Sequence, residues 1–232
     1  MATKKEYLEI AHAFLSERMA EVDFSPVSIT QHWWFFARRL TDGVVAQLQI
    51  AFEVKENCVM LVIINHSIHS KALAKRFDQE LGFVNDKLSL DWIQEGSSLS
   101  VPPDGAEFEE VWLIECLDDG AIFDNLDPLF GMISETLKPI WEQLTDVENQ
   151  VDVLVEWGFP KKHKPIRGLI THYTGPLCCL LRGEVERARE QCLAHWKYRR
   201  RPTAIHHAEY RQFIADVEAI IEKIVQTQEA KL

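Results

Sequence analysis

The chain has 232 residues, of which 47% are apolar and 26% are charged, and its formal net charge at pH 7 is −11. This composition excludes a wholly disordered chain, because so large an apolar share can bury enough surface to offset the entropy cost of folding. No apolar run reaches the roughly 18 residues of a membrane span, and the N-terminal segment lacks the apolar stretch of a secretory signal.

The N-terminal segment predicts an amphipathic helix. Apolar residues from Tyr7 to Val22 recur at intervals of three and four, and charged residues such as Glu9 occupy the opposite side. The Ser25-Pro26 pair ends this helix, because a proline cannot continue it.

Three consecutive segments after this helix predict β-strands. Residues 32–40 are rich in aromatic side chains, residues 44–54 alternate between apolar and polar, and residues 58–68 are apolar on both faces. Turn-forming residues at 41–43 and 55–57 separate them, so the sequence predicts an antiparallel meander of at least three strands. In the alternating segment we expect three side chains to be buried: Leu48, Ile50 and Phe52.

A short helix follows the meander. Ser70 can cap its N-terminus, and its apolar positions are Leu73, Phe77 and Leu81. Gly82 stands where a left-handed residue ends a helix, and Phe83 is expected to pack back on the last turn.

The next part of the chain predicts a loop, a strand and a helix. Residues 94–110 are polar and contain glycine and proline, which is typical of a loop, and residues 111–117 resemble a strand. Asp127 at the cap and Pro128 at the first helical position open a helix. Pro139 is expected to kink or split that helix.

Beyond about residue 150 the chain is predicted to be helical. Residues 157–165 are typical of a connector, and residues 177–198 form a helix with a possible break at Gly183. The last helix is strongly amphipathic, with apolar positions from Tyr210 to Ile224.

These elements predict an α+β fold, in which helices pack on the antiparallel meander and a helical C-terminal part follows. We expect residues 1–150 to form an α+β domain and residues 151–232 to dock on it.

Charge is divided unevenly along the chain. Residues 1–156 carry 28 Asp/Glu and 11 Lys/Arg, a balance of −17, whereas residues 157–232 carry 8 and 14, a balance of +6; the two sum to −11. Such asymmetry indicates either two surfaces with different partners or two parts that face each other.

An acidic stretch within residues 104–119 is a candidate docking surface for a basic protein. The alternative interpretation is a solvated loop and strand edge, since charges on an edge also discourage aberrant strand pairing. The predicted partner-binding residues are Asp104, Glu107, Glu109, Glu110, Asp118 and Asp119.

A basic stretch supports a second hypothesis, the binding of nucleic acid or another phosphorylated ligand. Residues 161–211 carry 12 Lys/Arg and 4 Asp/Glu, with aromatic residues between them. Cations neutralise phosphates and aromatic rings stack on bases, but cations also favour helix ends, and the negative charge of the whole chain opposes a polyanion. The cations concerned are Lys161, Lys162, Lys164, Arg199, Arg200 and Arg201.

The sequence predicts no metal site, no cofactor and no catalytic constellation. A zinc site needs four converging ligands, whereas Cys192 and His195 form a single pair and strand alternation sends His66 and His69 to opposite faces. The sequence contains neither a Gly-x-Ser-x-Gly elbow nor a phosphate-binding glycine loop.

The five cysteines show no paired spacing, so we expect free thiols and a location in the cytoplasm, where disulfides are rare.

The leading functional prediction is a non-enzymatic interaction protein whose acidic N-terminal part binds a basic partner. Inhibitors of the immunity or antitoxin type offer an analogy of architecture and charge. Binding of nucleic acid or a phospholigand through residues 161–211 is the alternative, and an enzyme without a recognised motif comes third.

Overall fold

The computed structural model describes residues 3–30, 33–84, 92–95, 112–117, 120–157, 173–198 and 204–230. The strands in these ranges are β1 (Ser25–Ile29), β2 (Trp33–Thr41), β3 (Val44–Lys55), β4 (Cys58–Ser70), β5 (Trp92–Glu95), β6 (Trp112–Cys116) and β7 (Ile122–Asp124). The α-helices are α1 (Lys4–Ala20), α2 (Lys71–Leu81), α3 (Asp127–Met132), α4 (Lys138–Gln143), α5 (Val147–Trp157), α6 (Thr174–Leu181), α7 (Val185–Tyr198) and α8 (Ala204–Glu229). A π-helical segment, Ile133–Leu137, joins α3 to α4.

The strands form one antiparallel sheet in the order β1-β2-β3-β4-β6-β7, and β5 also pairs with β4. The predicted α+β fold and the antiparallel meander are therefore confirmed. The 13-residue strand β4 has β3 on one side. On its other side β6 pairs with the first half of β4 and β5 with the second half.

An irregularity in β4 changes which of its side chains face the core. Ile50 of β3 pairs with Ile63, but Leu48 pairs with His66, so β4 contains one extra residue between them. Such a bulge reverses the alternation of the strand. Odd-numbered residues such as Leu61 are buried before the bulge, and even-numbered residues such as Ile68 are buried after it.

The inner face of the sheet is covered by helices. Helix α1 contacts β1, β3, β4 and β6, and it buries Ala11, Leu15 and Met19. The burial of Leu48 and Ile50 is confirmed, and Phe52 is half-buried with its ring stacked 4.6 Å from the ring of Trp34. One face of the sheet thus forms the main apolar core.

The π-helical segment keeps one side of the α3–α4 helix on this core. Its buried residues Leu129, Ile133, Leu137 and Trp141 are spaced by four, and in a regular α-helix that spacing would drift around the axis. A wider π turn corrects the drift, and it lies just before Pro139, which lacks an N–H and disfavours a regular turn. The predicted interruption of the helix at Pro139 therefore takes the form of a π turn.

Two predicted helix boundaries can be compared with the structure. Gly82 has φ +62° and Phe83 is buried, as predicted for the end of α2. Asp127 is not the cap of α3: Leu126 occupies the cap position without a side-chain bond, and Asp124 accepts a hydrogen bond from the Leu126 N–H at 3.0 Å. The acceptor oxygen thus comes from an aspartate three residues earlier than predicted.

The C-terminal helices pack on the first part of the chain through α5 and α2. Buried Gln191 of α7 donates from Nε2 to the carbonyl of Val155 at 3.0 Å, and the rings of Phe83 and Phe213 lie 5.9 Å apart. Helix α5 spans residue 150, where the two predicted domains meet, and that division stays a prediction. In the described ranges no helix is both long and apolar enough to cross a membrane.

Candidate functional site

All twelve residues of the two predicted binding surfaces lie outside the described part of the chain. They are Asp104, Glu107, Glu109, Glu110, Asp118, Asp119, Lys161, Lys162, Lys164, Arg199, Arg200 and Arg201. The structure does describe residues next to them in the sequence. The most informative are those of the β6–β7 hairpin, because Asp118 and Asp119 lie between β6 and β7 in the sequence.

The hairpin has a defined backbone on both sides of that connection. The Leu117 N–H donates to the carbonyl of Ala121 at 2.9 Å, and the Gly120 N–H donates to the carbonyl of Leu117 at 2.9 Å. Gly120 has φ +83°, a left-handed conformation that favours glycine. Strand β7 is the last in the sheet order and pairs only with β6 among the described strands.

Two apolar side chains of this hairpin are exposed. Phe123 of β7 is 56% exposed, and Leu117, directly after β6, is 40% exposed. Phe123 pairs with Glu115, whose Oε1 accepts a hydrogen bond from Nδ2 of Asn57 at 3.1 Å. The exposed ring of Phe123 at the sheet edge thus lies beside the carboxylate of Glu115, which Asn57 holds through a hydrogen bond.

The surrounding stretch of chain is strongly acidic. Residues 104–156 carry 15 Asp/Glu and a single Lys/Arg, Lys138. By contrast, residues 3–84 carry 10 Asp/Glu and 9 Lys/Arg, so the N-terminal excess of negative charge belongs mainly to the later segment. Among the residues of helices α3 to α5, the exposed acidic side chains are Asp127, Glu135, Glu142, Glu148, Asp152 and Glu156.

Some of these carboxylates are paired with cations from other parts of the chain. Oε1 of Glu148 accepts a hydrogen bond from Nη1 of Arg76 of α2, and its Oε2 lies 2.9 Å from Nη1 of Arg182. Arg182 also contacts Oδ1 of Asp152 at 2.5 Å, and Arg18 contacts Asp127 at 3.1 Å. One cation of the basic stretch is therefore bound to acidic residues of α5.

Three further cations of the basic stretch are also engaged within the chain. Arg187 contacts Glu184 at 3.1 Å, and Arg189 binds both carboxylate oxygens of Glu218 through Nε at 3.1 Å each. The guanidinium of Arg211 lies 5.4 Å from the ring centroid of Trp196. The contacts of Arg189 and Arg211 join α7 to α8, and that of Arg187 lies at the start of α7.

Three aromatic residues of the basic stretch, Tyr173, Trp196 and Tyr210, belong to a packed cluster. Tyr210 is buried, stacks with Trp196 at 6.2 Å and donates its hydroxyl to the carbonyl of Cys192 at 3.3 Å. Tyr173 and Phe213 also contact the Tyr210 ring. The ring of Tyr210 is thus an element of the core rather than a free surface for a base.

The five cysteines are free thiols. Burial raises the pKa of Cys179 and of Cys192 to about 12, and it raises the pKa of Cys178 well above its ordinary range. Cys58 pairs with Glu115, so strand alternation places Cys58 and Cys116 on opposite faces of the sheet. Across the described residues no three His, Cys, Asp or Glu side chains converge as metal ligands would.

Comparison of the chain with known protein families, with characterised proteins and with solved structures found no match.

Proposed function

We propose that this protein is a non-enzymatic interaction protein, and that the acidic segment of residues 104–156 binds a basic protein partner. One observation carries the proposal: the segment with 15 Asp/Glu and one Lys/Arg contains a hairpin at the sheet edge that exposes Phe123 and Leu117. Exposed aromatic residues anchor many protein interfaces, and surrounding charges select the partner.

The edge position of β7 supports this role. A strand at the end of a sheet has backbone N–H and C=O groups on its outer side, and another chain can pair with them. Beside that edge Phe123 supplies apolar area, and Asp118 and Asp119 follow Leu117 in the sequence. The proposed contact therefore combines one aromatic anchor with acidic residues that attract Lys and Arg of the partner.

The alternative, binding of nucleic acid or a phospholigand through residues 161–211, stays a prediction. Arg182, Arg187 and Arg189 make ion pairs within the chain, which reduces the positive charge that this stretch can offer to phosphates. The acidic interaction surface is therefore the preferred proposal.

Free thiols with raised pKa values fit the reducing cytoplasm that we propose as the location of this protein.

The experiment is affinity capture from an extract of the native cell, with the captured proteins identified by mass spectrometry. The full chain is immobilised as wild type, as Phe123→Ser and as the charge-reversed pair Asp118→Lys with Asp119→Lys. We expect wild type to retain a basic protein that both variants lose, and a nuclease-treated extract to give the same result.

A matched control separates this surface from net charge. The pair Glu17→Lys with Glu222→Lys makes the same change in charge at exposed positions of α1 and α8. We expect it to retain the partner. Equal capture by wild type and by both hairpin variants would contradict the proposal, and so would capture that nuclease abolishes.

A further inference from the structure

The sheet has a second face, on the side away from its buried core, that is partly open to solvent. Along β2 and β3 the side chains alternate between buried ones on the inner side, such as Phe36 and Leu48, and half-buried or exposed ones on the outer side. Among the described residues of β2 and β3, none on the outer side is buried. The central residues on this side, which we call the outer face, are Trp33, Phe35, Ala37, Val45, Gln47, Gln49, Ala51, Met60 and Val62.

The outer face is apolar and uncharged. Seven of its nine residues are apolar and the other two are glutamines. An apolar row crosses three strands, because Trp33 pairs with Ala51 and Ala51 pairs with Val62. Trp33 is the most open member of this row and is 42% exposed. A contiguous, partly exposed apolar patch of this kind marks an interaction site.

The charged side chains on the outer side of β2 and β3 lie at the two ends of this face, and each has a partner of opposite charge. Arg39 at one end contacts Asp42 at 2.5 Å, and Glu53 at the other end contacts Lys55 at 3.7 Å. The outer face is therefore locally neutral, although the whole chain has a net charge of −11. Two copies of the chain meet little repulsion here, whereas a basic or acidic partner finds no net charge to recognise.

The outer face is also large enough for a dimer interface. With its flanking strands it spans five strands, β1, β2, β3, β4 and β6. At about 4.8 Å between strands and about 3.3 Å per residue along residues 45–53, it measures about 24 Å by about 30 Å, or roughly 700 Å². A standard interface buries about 800 Å² on each partner. A sheet face fits a copy of itself, since two sheets pack face to face about 10 Å apart with their strands nearly aligned.

From these observations we propose that the outer face binds a second copy of this protein, so that two sheets pack face to face around a two-fold axis. Trp33 of each copy is the apolar anchor of the contact, and the ion pairs of Arg39 and Glu53 stay at its rim. The face ends at β6, and Phe123 belongs to the next strand, β7. The dimer therefore leaves the acidic surface proposed above to its basic partner.

Sedimentation of the full chain in the analytical ultracentrifuge, over a range of micromolar concentrations, tests the proposal. We expect wild type to be a dimer. Gln49→Arg should be a monomer under the same conditions, because it places an unpaired charge at the centre of the contact. The control Gln79→Arg makes the same substitution at an exposed position of α2 and should remain a dimer. A wild type that is monomeric at every concentration would overturn the proposal, and so would a Gln49→Arg variant that dimerises as wild type does.

Labelling by hydroxyl radicals locates the contact. Trp33 and Met60 should be labelled more slowly in the dimer than in the monomeric Gln49→Arg variant, while labelling of Phe123 should not change. A dimer in which Trp33 and Met60 react as fast as in the monomer would place the contact elsewhere and contradict the proposal.

The variant Trp33→Ser tests the anchor. We expect it to weaken dimerisation by about thirtyfold or more, the effect of losing a hot spot of an interface. Should this variant fail to fold, the sedimentation of Gln49→Arg and the labelling of wild type still decide. If the chain were instead monomeric and Gln49→Arg lost the captured basic protein, the outer face would belong to that partner and the proposed dimer would be wrong.

Discussion

Ser70 donates a hydrogen bond from its Oγ to Oε1 of Gln150 at 2.6 Å, and both side chains are fully buried. Ser70 Oγ also accepts from the N–H of Leu73, and Nε2 of Gln150 donates to the carbonyl of Leu144 at 2.7 Å. This network joins the end of β4, the cap of α2, the end of α4 and the body of α5. Every group in it has a partner, as buried polar groups require.

Gln150→Leu should destabilise the protein although it adds an apolar side chain to the core. It leaves the Ser70 O–H without its acceptor and the carbonyl of Leu144 without the Gln150 donor, at about 1–3 kcal/mol for each lost partner. Urea unfolding measures the loss. Gln143→Leu at an exposed position of α4 is the control, and we expect it to change stability by less than about 0.5 kcal/mol. Equal stabilities of the two variants would show that the network contributes nothing.

Leu48→Ala should destabilise the protein by about 2–5 kcal/mol, the usual range for deleting a buried leucine side chain. Leu48 is fully buried at the centre of β3. The midpoint of denaturant unfolding reports the change, and Glu53→Ala at an exposed position of the same strand is the control. A midpoint of Leu48→Ala that matches wild type would contradict the assigned core.

Acidification should destabilise the protein through His66. Burial lowers the pKa of His66 to about 4 in the folded state. The unfolded chain, with a histidine pKa of about 6.5, binds the proton more readily. The contribution of neutral His66 to the free energy of unfolding is therefore fully present above about pH 6.5. It is lost as the pH falls toward 4, which lowers the free energy of unfolding by about 3 kcal/mol in total.

The variant His66→Gln removes this titration. We expect its free energy of unfolding to fall less steeply than that of wild type between pH 6.5 and 4 when both are measured by urea unfolding. Burial also lowers the pKa of His12, so part of the slope remains in the variant. Parallel curves for the two proteins would exclude His66 as a source of the pH dependence.

Thiol labelling should distinguish the helical core from the sheet. Cys178, Cys179 and Cys192 are buried with raised pKa values, so few thiolates form and reagents reach them slowly. Cys58 is only partly buried and should react first in the folded protein. Intact mass after timed alkylation, followed by peptide mapping, measures the order. Labelling of Cys178 before Cys58 would contradict the described packing.

The best-predicted elements were those that local sequence determines. The alternation along β3 and the turn residues on either side of it predict a strand with one buried face, and Gly82 predicts the left-handed end of α2. Helix α5 was not predicted as a separate element, and it begins before residue 150, where the helical part was expected. Its signal was present: Asp146 accepts from the N–H of Asn149 at 3.1 Å, and buried residues then recur at helical spacing. Buried Gln150 interrupts that apolar pattern.

Other features depend on contacts between distant segments. The bulge in β4 depends on the register between β4 and β3. The π turn before Pro139 keeps Trp141 and the other buried residues of α3 and α4 on the side that faces the core. The acidic composition of the candidate surface was evident from the sequence. The exposure of Phe123 was not, because it follows from the position of β7 at the end of the sheet order.

The central claim is that the partner of this protein is a basic protein rather than a nucleic acid. A fluorescence titration with labelled single- and double-stranded oligonucleotides at about 50 and 200 mM salt tests it most directly, since phosphate contacts weaken steeply over this range. We expect no binding even at the lower salt concentration. Micromolar or tighter binding that weakens with salt, and that is lost when Arg199, Arg200 and Arg201 are replaced by Ala, would contradict the claim.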